Sequence, residues 1–236
     1  PKSGKRVACI GAGPASLAAA GHLALDGHEV TIFEKKELPG GLNTFGIAPY
    51  KLKADDALNE VEALLRLGAI ELKTGVSVVD GAAKAGEVSA QTLLADYDAV
   101  FFGVGLGSDT LLDLPGADGA GVYGAVQLIE RIKKDPSLKL DDGSSAGKAR
   151  ALVIGGGNTA IDIAHELALL GMSDVAMVYR RGQEAMSAYA HEMEHGRVHG
   201  VRVVENAVPV AFVREGNKLV ALKVAKGENG KPVAGS

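Results

Sequence analysis

The stretch RVACIGAGPASLAAAGHLALDGHEVTIFE, residues 6–34, decides the fold. Residues 6–10 are apolar enough for a buried parallel strand, and GAGPAS at 11–16 follows at once. Residues 17–26 are rich in Ala and Leu and run into Gly27, which predicts a helix with a glycine stop. Residues 29–33 then form a second strand that delivers Glu34. In such a strand–helix–strand opening Gly11 makes the tight turn and Gly13 lets the backbone approach a pyrophosphate. The helix N-terminus supplies amides and a positive dipole. At the end of the second strand, the Glu34 carboxylate can accept hydrogen bonds from both hydroxyls of a ribose. The third glycine of this fingerprint is replaced by Ser16, a departure that still leaves a small residue for helix packing.

The same device returns. Arg150–Ile154 reads as a strand, GGGNTA at 155–160 as the glycine loop, residues 158–170 as a helix, and residues 175–179 as the next strand. The span from Gly11 to Gly27 equals that from Gly155 to Gly171. One glycine fingerprint is weak evidence, but two with matched strand, helix and stop signals are strong. The expected fold is α/β: two Rossmann-like dinucleotide-binding domains with parallel sheets.

The copies differ where it matters. At the position of Glu34 the second has Arg180 and Arg181, followed by Gly182. Two guanidiniums suit a ribose 2′-phosphate and serve a bare diol poorly, so the second site is expected to prefer NADPH to NADH. The plain alternatives are a solvated strand end for the arginines and an ordinary surface charge for Glu34. A free ribose on one nucleotide and a 2′-phosphate on the other suggest a flavin dinucleotide paired with a nicotinamide dinucleotide, hence hydride transfer.

Composition narrows the field. Among 236 residues 47% are hydrophobic, too many for a disordered chain. The 25 Lys and Arg against 29 Asp and Glu include no basic block, which disfavours nucleic acid as a partner. A single cysteine, Cys9, excludes a disulfide framework, a redox-active pair or an iron–sulfur cluster held wholly by these residues, and fits a reducing, cytoplasmic setting. No apolar run reaches the ~20 residues of a membrane helix. The basic start, Lys2, Lys5 and Arg6, imitates a signal peptide, but Gly11, Gly13 and Pro14 would break its apolar core. With 32 glycines and only 4% aromatic residues, close backbone packing should mark the sites.

Between the copies, residues 39–50 hold Pro39, Gly40, Gly41, Gly46 and Pro49, which predicts an irregular loop that covers ligand. Helical spacing resumes over 54–67, an apolar strand covers 98–103, and a short helix covers 124–134. A hinge at 108–123 and a polar Gly/Ser-rich stretch at 140–148 precede the second glycine loop. Domains are expected at 1–109 and 110–236, with further strands near 201–204, 209–214 and 219–224.

GAGPAS, FEKKELPGGLNTFGIAPYKL at 33–52, VIGGGNTAID and VYRRG together resemble the flavin and pyridine-nucleotide region of glutamate synthase small subunits and of dihydropyrimidine dehydrogenases. The resemblance implies FAD reduced by NADPH, with electrons leaving to an iron–sulfur subunit or domain. It implies that Gly11, Gly13, Pro14, Ala15 and Ser16 hold the FAD pyrophosphate and that Glu34, beside Lys35, holds the adenosine ribose. Gly41 and Leu42 would approach the flavin, Lys51 would lie near its phosphates, and Val78 would offer backbone to the adenine. For NADPH, Gly155, Gly156, Gly157, Asn158 and Thr159 match the pyrophosphate loop, and Arg180 and Arg181 match the basic pair. A further arginine of some relatives aligns with Ser187. GVGLGS at 103–108 resembles the crossing from the FAD half to the nucleotide domain. The resemblance also implies a shortened chain, with the FAD domain incomplete at its C-terminal end: the cysteine-rich domain of relatives, their closing strand and their Gly-Asp turn have no counterpart here.

Other signals compete. HEMEH at 191–195 matches the zinc-hydrolase pattern H-E-x-x-H, and His199 extends it by a turn, but a solvated helix face is the expected reading and no metal is assigned. Cys9 reads as core. Asp162, one turn into the second helix, reads as structural support; His22 and His28 read as surface residues. No general acid is evident, and no catalytic residue is assigned. The hypothesis from another class is a nucleotide-binding, electron-input module without turnover of its own.

Overall fold

Residues 2–107, 109–135, 137–138 and 150–236 are described by a computed structural model. The Gly/Ser-rich stretch 140–148 lies outside the described residues. The chain divides into two compact units, Pro1–Ile47 with Lys51–Gly107, and Ala48–Tyr50 with Ser108–Ser236.

In the first unit β1 (Arg6–Ile10), α1 (Pro14–Leu25) and β2 (Glu29–Phe33) form the opening read from sequence. Helix α1 starts three residues before the predicted boundary because Pro14 takes the first helical position, where its missing N–H has no partner to lose. It ends as predicted: Gly27, at φ +87°, donates to Ala24 O at 3.0 Å, and His28 donates to Leu23 O at 2.9 Å. That pair of bonds satisfies two helix-end carbonyls and needs a left-handed residue between them.

The unit continues with α2 (Leu42–Phe45), α3 (Ala54–Leu65), β3 (Ile70–Lys73), β4 (Ser77–Val79), β5 (Glu87–Ser89), α4 (Ala90–Asp96) and β6 (Ala99–Phe102). Its main sheet has the order β3-β2-β1-β6, all parallel, with Arg6 opposite Glu29 and Val7 opposite Ala99. Alternate residues of β1 face opposite sides of the sheet and both sides are filled. Cys9 packs with Ala20 and Ile32, while Ala8 and Ile10 pack with Phe33 and Leu93. Burial on both faces is why β1 and β2 read as continuous apolar runs.

In the second unit α5 (Ala125–Lys134) precedes β7 (Arg150–Ile154), α6 (Asn158–Leu169) and β8 (Asp174–Val178). A 3-10 turn at Gln183–Ala185 leads to α7 (Ala190–Val198) and β9 (Arg202–Val204). The sheet β7-β8-β9 is parallel, and its core joins Met177 and Val175 to Ile161 and Ala164 of α6, Ile129 of α5 and Met193 of α7. Gly171 closes α6 as Gly27 closes α1, with φ +87° and bonds from Gly171 N to Ala168 O and from Met172 N to Leu167 O. The antiparallel ribbon β10 (Ala207–Glu215), β11 (Lys218–Glu228) and β12 (Lys231–Pro232) follows.

Ile32 is fully buried between β2 and α1, whereas Leu25 at the end of α1 is exposed. Ile32→Ala is expected to cost about 2–5 kcal/mol of unfolding free energy and Leu25→Ala about 0.5 kcal/mol or less. Equal losses in denaturant titrations would contradict this placement of the core.

Candidate dinucleotide sites

The glycine turn of the first unit is fixed by its own backbone. Gly11, at φ +88°, donates to Phe33 O at 2.8 Å, and a Cβ there would lie 2.7 Å from Gly103 O. Gly13 caps α1, and the segment after β2 folds back onto it: Gly40 N donates to Ala12 O at 2.8 Å. A Cβ on Gly41, at φ +55°, would lie 2.8 Å from Gly13 Cα, so only glycine fits that approach. Glu34 is 8% exposed and ties the glycine turn to the segment after β2. Its Oε2 accepts from Ala12 N at 2.7 Å and its Oε1 from Lys36 N at 2.8 Å. Each carboxylate oxygen keeps a second lone pair for an outside donor.

The structure therefore brings Gly11, Gly13, Pro14, Ala15, Ser16, Glu34 and Gly41 around one helix end, with Leu42 starting α2. The loop 39–50 is less irregular than its composition predicts, because Leu42–Phe45 closes a single helical turn. Ser16 fills the third glycine position against Gly103, and its Oγ is buried without a hydrogen-bond partner among the described residues. Lys35 and Lys51 are exposed. Val78 lies in β4 opposite Val88, two residues beyond Val76, whose N–H donates to Glu34 O at 2.9 Å.

The second unit repeats the arrangement. Gly155 N donates to Val178 O at 3.1 Å, and Gly157 caps α6. Gly156 sits under the Tyr179 ring, where a Cβ would lie 2.7 Å from two ring carbons. Its carbonyl accepts from Ser187 N and Ala188 N at 3.0 and 3.1 Å. Asn158 Oδ1 accepts from Tyr189 N at 3.1 Å, and Thr159 is exposed in the first turn. Arg180 and Arg181 follow β8 on the surface, with the Arg181 guanidinium 5.4 Å from the centre of the Tyr179 ring. A groove of about 1870 Å³ runs from Gly157, Asn158 and Thr159 along β7 and on to Phe212 and Leu219. It is apolar for most of its length, and Leu152 of β7 is 50% exposed there.

Helix α3 opens with Asp55 and Asp56, α4 with Ser89, and α7 with Glu192. Helix α5 borrows Asp109, which accepts from Val126 N and Gln127 N at 2.9 and 3.0 Å. Helices α1 and α6 have glycine caps, no side-chain cap bond and no acidic residue in the first turn. With no side-chain cap among the described residues, their leading amides and positive dipole ends suit a diphosphate.

A polar cluster beside α6 escaped the sequence reading. Tyr50 groups with the second unit; its hydroxyl donates to Asp162 Oδ1 at 2.8 Å and its N–H to Glu166 Oε1 at 3.0 Å. The His165 ring lies between those of Tyr50 and His199, at 4.3 and 4.4 Å. Asp162 has the structural role expected of it, with Tyr50 as the partner that sequence did not supply. Burial raises the Glu166 carboxyl above its usual range; nearby Asp162 adds to this, and the Tyr50 N–H and Lys133 oppose it. Burial and the bond to Asp162 push the Tyr50 hydroxyl up. The available signal was the spacing of Asp162, His165 and Glu166, which puts three ionisable groups on one helix face.

HEMEH forms the start of α7, but not as a uniformly solvated face: Glu192 and Met193 are buried, while His191 and His195 are exposed. Glu192 Oε1 lies 3.9 Å from His191 Nε2, but no group of three or more potential metal ligands occurs among the described residues. Cys9 is buried, and burial raises its thiol to about 11. No helix among the described residues is long and apolar enough to cross a membrane.

Two glycine-capped helices on parallel sheets define a dinucleotide-binding α/β protein. The sequence profile of the pyridine nucleotide-disulphide oxidoreductase family matches residues 5–234, and the chain belongs to that family, whose fold binds FAD and NAD(P)H. The chain is 36% identical over 231 residues to the NADP(+)-dependent formate dehydrogenase subunit beta of Moorella thermoacetica, covering 98% of this chain and 31% of that one. It is 34% identical over 244 residues to the glutamate synthase [NADPH] small chain of Escherichia coli, covering 99% and 49%. It thus spans half or less of these relatives. Among solved structures, FprA of Mycobacterium tuberculosis in complex with NADPH superposes with a TM-score of 0.75 at 22% identity, over 95% of this chain and 64% of that one.

A carboxyl with a raised folded value holds its proton more tightly in the fold, so stability falls as pH rises from the unfolded value through the folded one. Glu166→Gln keeps an oxygen for the Tyr50 N–H and has no charge to bury. The variant is expected to melt above the wild type at neutral pH, with the gap closing below about pH 4, where the wild-type carboxyl is neutral too. A gap that does not depend on pH would show that burial of charge is not what Glu166 contributes.

Proposed function

We propose that the chain carries the nucleotide machinery of an NADPH-dependent flavoprotein oxidoreductase, with FAD on the first unit and NADPH on the second. The observation that carries this reading is the pair of uncapped helices, α1 with Glu34 after its following strand and α6 with Arg180 and Arg181 after its own. When bound, the cofactors supply the redox chemistry, a hydride passing from NADPH to the flavin.

The residues supply binding and orientation. The amides at Gly13, Pro14–Ala15 and Ser16 surround one diphosphate, with only Pro14 lacking a donor, and Glu34 accepts from the adenosine ribose. Gly41 and Leu42 line the flavin side, Lys51 neutralises phosphate, and Val78 presents backbone to the adenine. The amides from Gly156 to Thr159 take the second diphosphate, and the two arginines take the 2′-phosphate as charge-assisted, multidentate donors.

Cys9, alone, buried and poorly ionised, offers no internal disulfide for the electrons. Delivery to an iron–sulfur subunit or domain is the favoured exit, in line with the similarity to the glutamate synthase small chain. A reducing, cytoplasmic setting fits the same cysteine.

Purified protein is expected to bind FAD and to lose its flavin absorbance when NADPH is added without air. A chain that binds NADPH but no flavin would instead be a nucleotide-binding module. Replacing Arg180 and Arg181 by alanine should weaken NADPH by about 10- to 100-fold, the loss of one or two charge-assisted hydrogen bonds, and leave NADH nearly unchanged. Equal weakening of both nucleotides in binding titrations would contradict the assignment of the arginine pair.

A further inference from the structure

The sequence ENGK at 228–231 reverses the chain between β11 and β12. Glu228 pairs with Lys231, and the two residues between them, Asn229 and Gly230, are both left-handed at φ 49° and 79°. This is the two-residue hairpin turn that Asn-Gly favours.

The turn is packed on the arginine pair. A Cβ on Gly230 would lie 3.2 Å from Arg181 Cγ and 3.5 Å from both Arg180 Cδ and Arg180 Nε. The backbone beneath is held as closely. Gly227 N donates to Asn206 O at 2.6 Å, Asn206 N donates to Arg181 O at 3.0 Å, and a Cβ on Gly227 would lie 2.6 Å from Arg180 O. Both arginine stems therefore run against a bare glycine, and the Tyr179 ring stands near the Arg181 guanidinium.

An arginine at a strand end would otherwise lose much rotamer freedom when it grips a ligand. Contact with a rigid two-residue turn limits that freedom beforehand and leaves the guanidinium ends outward. We propose that the β11–β12 turn is a specificity element, in which Gly230 positions Arg180 and Arg181 for the phosphate monoester on the ribose of NADPH. Gly230 is a positioning residue that touches the arginine stems. The inference rests on the proposed role of the arginine pair and extends it to a segment far away in sequence.

The test compares two variants of the full chain by binding titrations with NADPH and NADH. Asn229→Gly alone leaves position 230 bare. Combined with Gly230→Asn it gives Gly-Asn, which also suits a hairpin turn, but places a Cβ against both stems. The single variant should keep the NADPH-to-NADH affinity ratio within about twofold, and the exchange should lower it by about tenfold, the size of one impaired charge-assisted hydrogen bond, through NADPH alone. An unchanged ratio, or equal loss for both nucleotides, overturns the proposal. Should the exchange fold poorly, Gly230→Ala combined with Arg181→Lys completes a double-mutant cycle. Coupling confined to NADPH supports the proposal, and additivity overturns it. Failure here alongside an NADPH-selective loss in the Arg180→Ala, Arg181→Ala variant removes only the role of the turn. Absence of that selective loss removes the ground for both readings.

Discussion

At the two long helices that follow the glycine turns, α1 and α6, no side chain among the described residues caps the leading amides. At α3, α4, α5 and α7 the fold supplies an oxygen or a carboxylate, for α5 by bringing Asp109 to it from before the helix. At α1 and α6 a glycine stands in the capping position, and a further glycine before it is held by a bond to the neighbouring strand. A glycine in the capping position gives up about a few tenths of a kcal/mol relative to a capping side chain. What the glycine gains is room for an outside anion to reach the helix end.

Beyond that shared feature the two units diverge in electrostatics. Glu34 is buried and already bonded to Ala12 and Lys36, so its orientation is set by the loop it organises. Arg180 and Arg181 are exposed, their stems lie beside Gly230 of the hairpin turn, and the Arg181 guanidinium lies 5.4 Å from the centre of the Tyr179 ring. An acceptor fixed in a low-dielectric pocket suits two neutral hydroxyls, whereas a doubly charged phosphate is better met at the surface, where guanidiniums keep their hydration until contact.

Much of this was legible in sequence because it depends on local rules. Arg6–Ile10, Glu29–Phe33 and Arg150–Ile154 are read to the residue, since each is an apolar run that ends where a turn begins, and β1 and β2 are covered on both faces. Gly27 and Gly171 stop their helices for a reason visible in the residue type alone. The short strands β3, β4 and β5 went unread: three or four residues do not establish a period. The helix at HEMEH was read, but as a solvated face, whereas Glu192 and Met193 turn inward. The contacts of Tyr50 with Asp162 and Glu166, and of Gly230 with the arginines, join residues far apart in the chain, and no local signal announces them.

The most direct test of the account is residue-resolved amide NMR on the full chain, titrated separately with FAD and with NADP(+). The account predicts that FAD moves the amides of Gly13, Ala15 and Ser16, and that NADP(+) moves those of Gly157, Asn158 and Thr159, in each case at the leading turn of the helix. Shifts that miss both helix ends, or saturating ligand that moves nothing, would contradict it.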